Sequence, residues 1–149
     1  MKISPILLPI LLNKFRKRID NACRELLTKY NLSKLHLLYL MALYEYSDGL
    51  NLKELTELLG FDKANTTRAV SQLIQKGYAE KQTQGKLEHK FKVALSDNGK
   101  LVASEIWEHN QKHNLDILKL LTQEEMIVLG GIAEKLWLFL SDVPVEFEA

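Results

Sequence analysis

The stretch that decides the fold is Leu52-Lys53-Glu54-Leu55-Thr56-Glu57-Leu58-Leu59-Gly60-Phe61-Asp62-Lys63-Ala64-Asn65-Thr66-Thr67-Arg68-Ala69-Val70-Ser71-Gln72-Leu73-Ile74-Gln75-Lys76-Gly77-Tyr78. Asn51, just before it, and Glu54 form a capping-box pattern, which predicts a short helix carrying Leu52, Leu55, Leu58 and Leu59. Gly60 ends that helix, because glycine tolerates the positive φ of a helix terminus. Asp62 caps a second helix that runs through Ala69, Val70, Leu73 and Ile74 to Gly77. Two short helices joined by a glycine-containing turn of about three residues make a helix-turn-helix.

Outward from this pair the pattern stays legible. From Tyr78 the period changes from 3.6 to 2: Tyr78–Thr83 and Lys90–Leu95 alternate around the turn Gln84-Gly85-Lys86, which predicts a β-hairpin. Phe91, Val93 and Leu95 are expected to face the core, with Lys90 and Lys92 facing out. Upstream, after Pro9, apolar residues from Leu12 to Tyr30 recur at three- and four-residue steps, marking a long helix that ends near Asn31. Ser33 caps an almost wholly apolar helix (Leu37, Leu38, Leu40, Met41, Leu43) expected at the centre of the fold. Downstream, Ser96 and Asp97 open a long helix to about Leu121, and Thr122 with Glu125 opens the last. The fold class is therefore mainly α with a small β-hairpin wing, in the order α-α-α-α-β-β-α-α. Three parts are expected: a helix over 1–32, a winged helix-turn-helix over 33–99, and helices over 100–149.

Composition narrows the function class. The chain has 149 residues, 46% of them apolar and 26% charged, with one cysteine, which suits a globular protein without an internal disulfide. The apolar run Ile3–Leu12 is broken by Pro5 and Pro9 and is followed by Lys14-Phe15-Arg16-Lys17-Arg18. It is shorter than the roughly 20 residues of a membrane span and lacks a small-residue cleavage site, so no membrane is expected and the cytoplasm is the default location. No P-loop, GxSxG or CxxC motif and no cofactor-binding pattern occurs, so no enzyme is expected.

The net charge of +1 looks unpromising for nucleic acid, but its distribution reverses that reading. Residues 1–35 carry a net +6 and residues 36–60 a net −3. Residues 61–95 carry +4 and residues 96–149 carry −6. The positive charge falls on the helix and hairpin that would meet a DNA backbone. On the second helix of the pair, Ala64, Ala69, Val70, Leu73 and Ile74 are expected to pack inward. Lys63, Asn65, Thr66, Thr67, Arg68, Ser71 and Gln72 are then left as a polar surface suited to base edges and phosphates. Arg68 suits guanine or phosphate, Asn65 and Gln72 suit adenine, and Lys63 suits phosphate.

The same residues resemble the MarR family of bacterial transcription regulators. The resemblance rests on Thr67-Arg68, Leu73 and Lys76-Gly77 before the wing, and on Leu95-Ser96-Asp97-Asn98-Gly99, which is similar to the family's Leu-Thr-x-x-Gly entry to its long helix. It implies a DNA-binding repressor, dimeric through its terminal helices around Ile6, Leu7, Leu8, Leu11, Phe15, Trp137 and Phe139, on a pseudo-palindromic double-stranded site. It also implies a small-molecule effector, apolar or phenolic, for which His36, Tyr39, Tyr44 and Trp107 are the pocket candidates. The alternative is a winged-helix module for protein–protein contact without DNA. The wing departs from the family: where Asp-x-Arg is common, this chain has Leu87-Glu88-His89. Lys86, Lys90 and a protonated His89 are the remaining phosphate contacts expected of it. His109 and His113, at i and i+4 on an acidic helix, are too few for a metal site and read as a solvated face. Cys23 reads as a small core residue.

Overall fold

The computed structural model describes residues 4, 6–83 and 91–140. Its element order is α1 (Leu7–Lys29), α2 (Lys34–Glu45), α3 (Leu52–Leu59), α4 (Lys63–Gln75), β1 (Ala79–Thr83), β2 (Phe91–Leu95), α5 (Asp97–Leu118) and α6 (Gln123–Leu140). The order is the one the sequence predicts. The winged helix-turn-helix is α2 to β2. The chain divides into two compact units, residues 1–113 and 114–149.

Local chemistry explains the boundaries. Ser33 and His36 form a reciprocal capping box at the start of α2, and Asn51 and Glu54 form another at α3. Gly60 ends α3 at φ +68, in the left-handed region, and the Asp62 side chain accepts from the Asn65 backbone N–H to start α4. The Thr122 backbone N–H donates to Glu125, and the Glu125 N–H to the Thr122 hydroxyl, at the start of α6. One boundary differs from expectation. Helix α1 begins at Leu7, so Pro9 lies inside its first turn. Proline is tolerated there because the first four N–H groups of a helix have no internal partner anyway.

The core of the first unit gathers around α2. His36, Leu37, Tyr39, Leu40, Ala42 and Leu43 are buried on it, whereas Leu38 of the expected apolar run is exposed and Met41 is half-buried. Cys23 and Leu27 of α1, Leu55 of α3, Ala69, Val70 and Leu73 of α4, and Val102, Ala103 and Ile106 of α5 complete the cluster. Strands β1 and β2 pair antiparallel from Ala79↔Leu95 to Thr83↔Phe91. A backbone bridge between Leu50 and Val93 ties the base of the hairpin to the segment before α3. Val93 and Leu95 face the core as expected, and Ala94 is buried as well, beside Gly49. Lys81 lies over the Phe91 ring, 4.6 Å from its centroid.

Helix α1 is clamped to α5 by polar contacts. The Cys23 thiol donates to Asn110 Oδ1 (2.9 Å), and His109 Nε2 lies 2.7 Å from the Ala22 carbonyl. Lys29 pairs with Glu105 at 2.8 Å, and the Tyr30 hydroxyl donates to the same carboxylate, so Glu105 is held below the usual carboxylate range. These contacts correct the reading of His109 as a solvated residue: it is half-buried and turned to α1. Burial pushes the Cys23 thiol up, which makes it a poor thiolate source. Within the second unit, α6 buries none of its residues.

Candidate nucleic-acid interface

The helix pair α3–α4 is oriented by a knot of three hydroxyls. Thr66 Oγ1 lies 3.0 Å from the Tyr39 hydroxyl of α2 and 3.0 Å from Thr56 Oγ1 of α3. The backbone carbonyls of Asp62, at 3.1 Å from Thr66 Oγ1, and Leu52, at 2.7 Å from Thr56 Oγ1, complete the bonding. Phe61, in the turn, stacks on the Tyr39 ring with centroids 6.0 Å apart. Three helices thus meet at one polar point inside an apolar core, and the direction of α4 depends on it.

This knot corrects one expectation. Thr66 is fully buried and leaves the polar surface, while Ala64 is exposed. The physical reason is helical spacing: positions 66, 69, 70 and 73 fall on one face, and 64 lies nearly opposite 66. The signal was in the sequence, masked by the polarity of threonine. Thr66→Val keeps the shape and removes the hydroxyl on which Tyr39 depends. It should lower unfolding stability by about 1–2 kcal/mol in urea denaturation. An unchanged midpoint would mean that the knot does not hold α4.

The rest of the α4 surface is open. Lys63, Thr67, Arg68, Ser71 and Gln72 are exposed and Asn65 is half-buried. Several are already engaged. The Asn65 amide donates to Asp62 Oδ2 (2.6 Å), and the Asn65 backbone N–H holds the Asp62 carboxyl below its ordinary range. The Thr67 hydroxyl donates to the Lys63 carbonyl at 2.8 Å. His36 Nε2 lies 2.7 Å from Gln72 Oε1. Arg68 makes no hydrogen bond or ion pair with any other of the described residues. Gln75, exposed and one turn beyond Ser71 and Gln72, extends this row; its spacing from Arg68 could have revealed it. Lys86, His89 and Lys90 lie outside the described residues.

The four pocket candidates do not converge. Tyr44 lines an open cleft of about 560 Å³ with Leu43, Ser47, Leu95 and Lys100, and its ring lies 6.4 Å from that of Trp107. Tyr39 is fully buried in the hydroxyl knot, and His36 lines a different, polar cleft beside α4. Among the described residues no group of three or more His, Cys, Asp or Glu could hold a metal, and no helix is long and apolar enough to cross a membrane. The side chain of His113 lies outside the described set.

Residues 30–86, from the end of α1 into the hairpin, match the model of the MarR family. No curated protein matches the chain. Among solved structures, the chain is similar to a MarR protein from Peptoclostridium difficile, with 25% identity, a TM-score of 0.75, and 95% of this chain and 94% of that one covered. It is also similar to a MarR family transcriptional regulator from Listeria monocytogenes complexed with 26mer DNA, with 21% identity, a TM-score of 0.77, and 99% and 100% coverage. A third is NadR in complex with 4-hydroxyphenylacetate, with 18% identity, a TM-score of 0.75, and 92% and 95% coverage.

Proposed function

We propose that the chain, whose residues 30–86 match the MarR family model, is a DNA-binding transcription regulator, a homodimer that represses from a pseudo-palindromic site. The observation that carries this is the outer row of α4: Lys63, Thr67, Arg68, Ser71 and Gln72 stand exposed, Arg68 without a partner among the described residues, on a segment of net positive charge. A helix presenting such a row can enter a major groove, its short side chains allowing close approach and its arginine gripping guanine or phosphate. The similar Listeria regulator is complexed with DNA, which supports the same use of this fold.

Dimerisation rests on exposed apolar surface. Ile6, Leu7, Leu8, Leu11 and Phe15 at the start of the chain, and Trp137 and Phe139 on α6, are 37% exposed or more. Apolar faces of this extent are unfavourable in water, and a second copy of the chain would cover them. Two recognition helices about 34 Å apart would then read two half-sites.

Repression would be relieved by a small effector, apolar or phenolic, whose binding alters the spacing of the two recognition helices. NadR, bound to 4-hydroxyphenylacetate, lends this class of effector its support. Tyr44 and Trp107 remain the aromatic pair proposed for it. Lys86, His89 and Lys90 are proposed as wing contacts to phosphate.

A salt titration tests the DNA reading. With six or so phosphates neutralised, affinity for duplex DNA should fall on the order of a thousandfold between about 50 and 200 mM salt. Binding that is absent, or flat with salt, would sink it and favour a protein–protein module.

A further inference from the structure

We infer that His36, buried at the start of α2 and far from Gln72 in sequence, is a positioning residue that fixes the Gln72 amide of α4 as a hydrogen-bond donor toward DNA. The inference rests on the DNA-binding reading above.

The α2 capping box fixes the tautomer of the His36 ring. The Ser33 backbone N–H donates to His36 Nδ1 at 3.0 Å, and the His36 N–H donates to Ser33 Oγ at 3.2 Å. A nitrogen that accepts an N–H must carry a lone pair, so Nδ1 is unprotonated. In the neutral ring the proton is then on Nε2, and Nε2 can only donate. Its partner, 2.7 Å away, must be an acceptor, which is Gln72 Oε1. The Gln72 amide is thereby assigned: its oxygen turns back to His36, and its NH₂ group is left as the outward polar group.

This sharpens the specificity expected of Gln72. A free glutamine can match adenine with oxygen and nitrogen together. One whose oxygen is already bonded offers mainly donors, which suit the acceptor edge of guanine, N7 and O6, or thymine O4. His36 is only 6% exposed, so it acts on the DNA through Gln72 rather than by contact. Both residues line one polar cleft of about 520 Å³ with Asn31, Ser33 and Lys76.

The test uses His36→Gln. Glutamine is itself a capping-box residue at this helix position, so α2 keeps its cap while Gln72 loses the Nε2–H donor. Long-range ¹H–¹⁵N spectra of the wild-type protein should show an Nε2–H tautomer for His36, with signals that move in Gln72→Ala; a proton on Nδ1 would overturn the inference whatever the DNA result. Selection from a randomised duplex pool then reads base preference. His36→Gln should lose about tenfold discrimination at the same base-pair position that Gln72→Ala relaxes, and keep the others. An unchanged preference in His36→Gln, or relaxation elsewhere, would overturn the positioning role. A Gln72→Ala profile like that of wild type would overturn the specificity role. Failure of the wild-type protein to enrich any sequence would overturn the DNA-binding reading itself and the DNA-facing half of this inference, leaving the tautomer to be decided by the spectra.

Discussion

Arg68→Ala should weaken binding to a duplex selected by the wild-type protein by about ten- to a hundredfold while leaving the thermal melt unchanged, because a good arginine contact contributes about 1–3 kcal/mol of recognition. The stability half of this expectation comes from placement. Arg68 is exposed on the outer row of α4 and makes no hydrogen bond or ion pair with any other described residue, so its removal costs the fold little. The binding half comes from chemistry. A guanidinium with five free donors matches either the O6/N7 edge of guanine or a phosphate. The two cases separate in one experiment. A phosphate contact would lower the salt slope by about one and weaken all sequences alike, whereas a base contact would relax preference at one position. Arg68→Lys should rescue the phosphate case better than the base case, since lysine keeps the charge but not the fork. Fluorescence anisotropy measures both. Full affinity in Arg68→Ala would mean that α4 does not read DNA.

Gly99→Ala should be the most damaging of the small substitutions, destabilising by about 3 kcal/mol or more and lowering the melting temperature by about 10 °C. Helix propensity alone argues the opposite. Gly99 sits in the first turn of α5, where alanine is ordinarily preferred to glycine by about 1 kcal/mol. Space decides against it. A Cβ at Gly99 would lie 1.8 Å from the Tyr78 carbonyl oxygen and 2.8 Å from its carbon, both backbone atoms that no rotamer change can move. The surroundings are also bonded in place. The Ser96 N–H donates to that same Tyr78 carbonyl at 3.1 Å, and Ser96 Oγ bridges the Gly77 carbonyl (2.6 Å) and the Gly99 N–H (3.0 Å). The Tyr78 hydroxyl donates in turn to the Tyr30 carbonyl, so the strain would reach the end of α1. Gly77→Ala is the control. Gly77 has φ +77 and nothing within 4 Å of a Cβ, so it should cost only about 1 kcal/mol, through conformation alone. Differential scanning calorimetry ranks the two. Equal, small shifts would mean that α5 can move away from Tyr78 freely.

The glycine shows why a motif can be legible before its reason is. Leu95-Ser96-Asp97-Asn98-Gly99 reads in the sequence as the entry to a long helix, and that much follows from a capping serine and a change of period. That Gly99 must lack a side chain depends on Tyr78, 21 positions earlier, whose carbonyl occupies the space.

Element order, the starts of α2, α3, α4 and α6, and the Gly60 end of α3 were determined by the sequence alone. Caps, glycine turns and apolar periods act within four or five residues, so the chain carries them wherever it folds. Thr66 marks the limit. Its hydroxyl reads as surface chemistry, and only the approach of Tyr39 and Thr56 from two other helices turns it into a buried joint. The Gln72 amide is similar, since its orientation depends on a ring in α2 and on that ring's own cap. Tertiary structure decided these because a polar side chain has two stable fates, solvated or internally bonded. Its sequence neighbours do not choose between them; the partner that packing brings to it does.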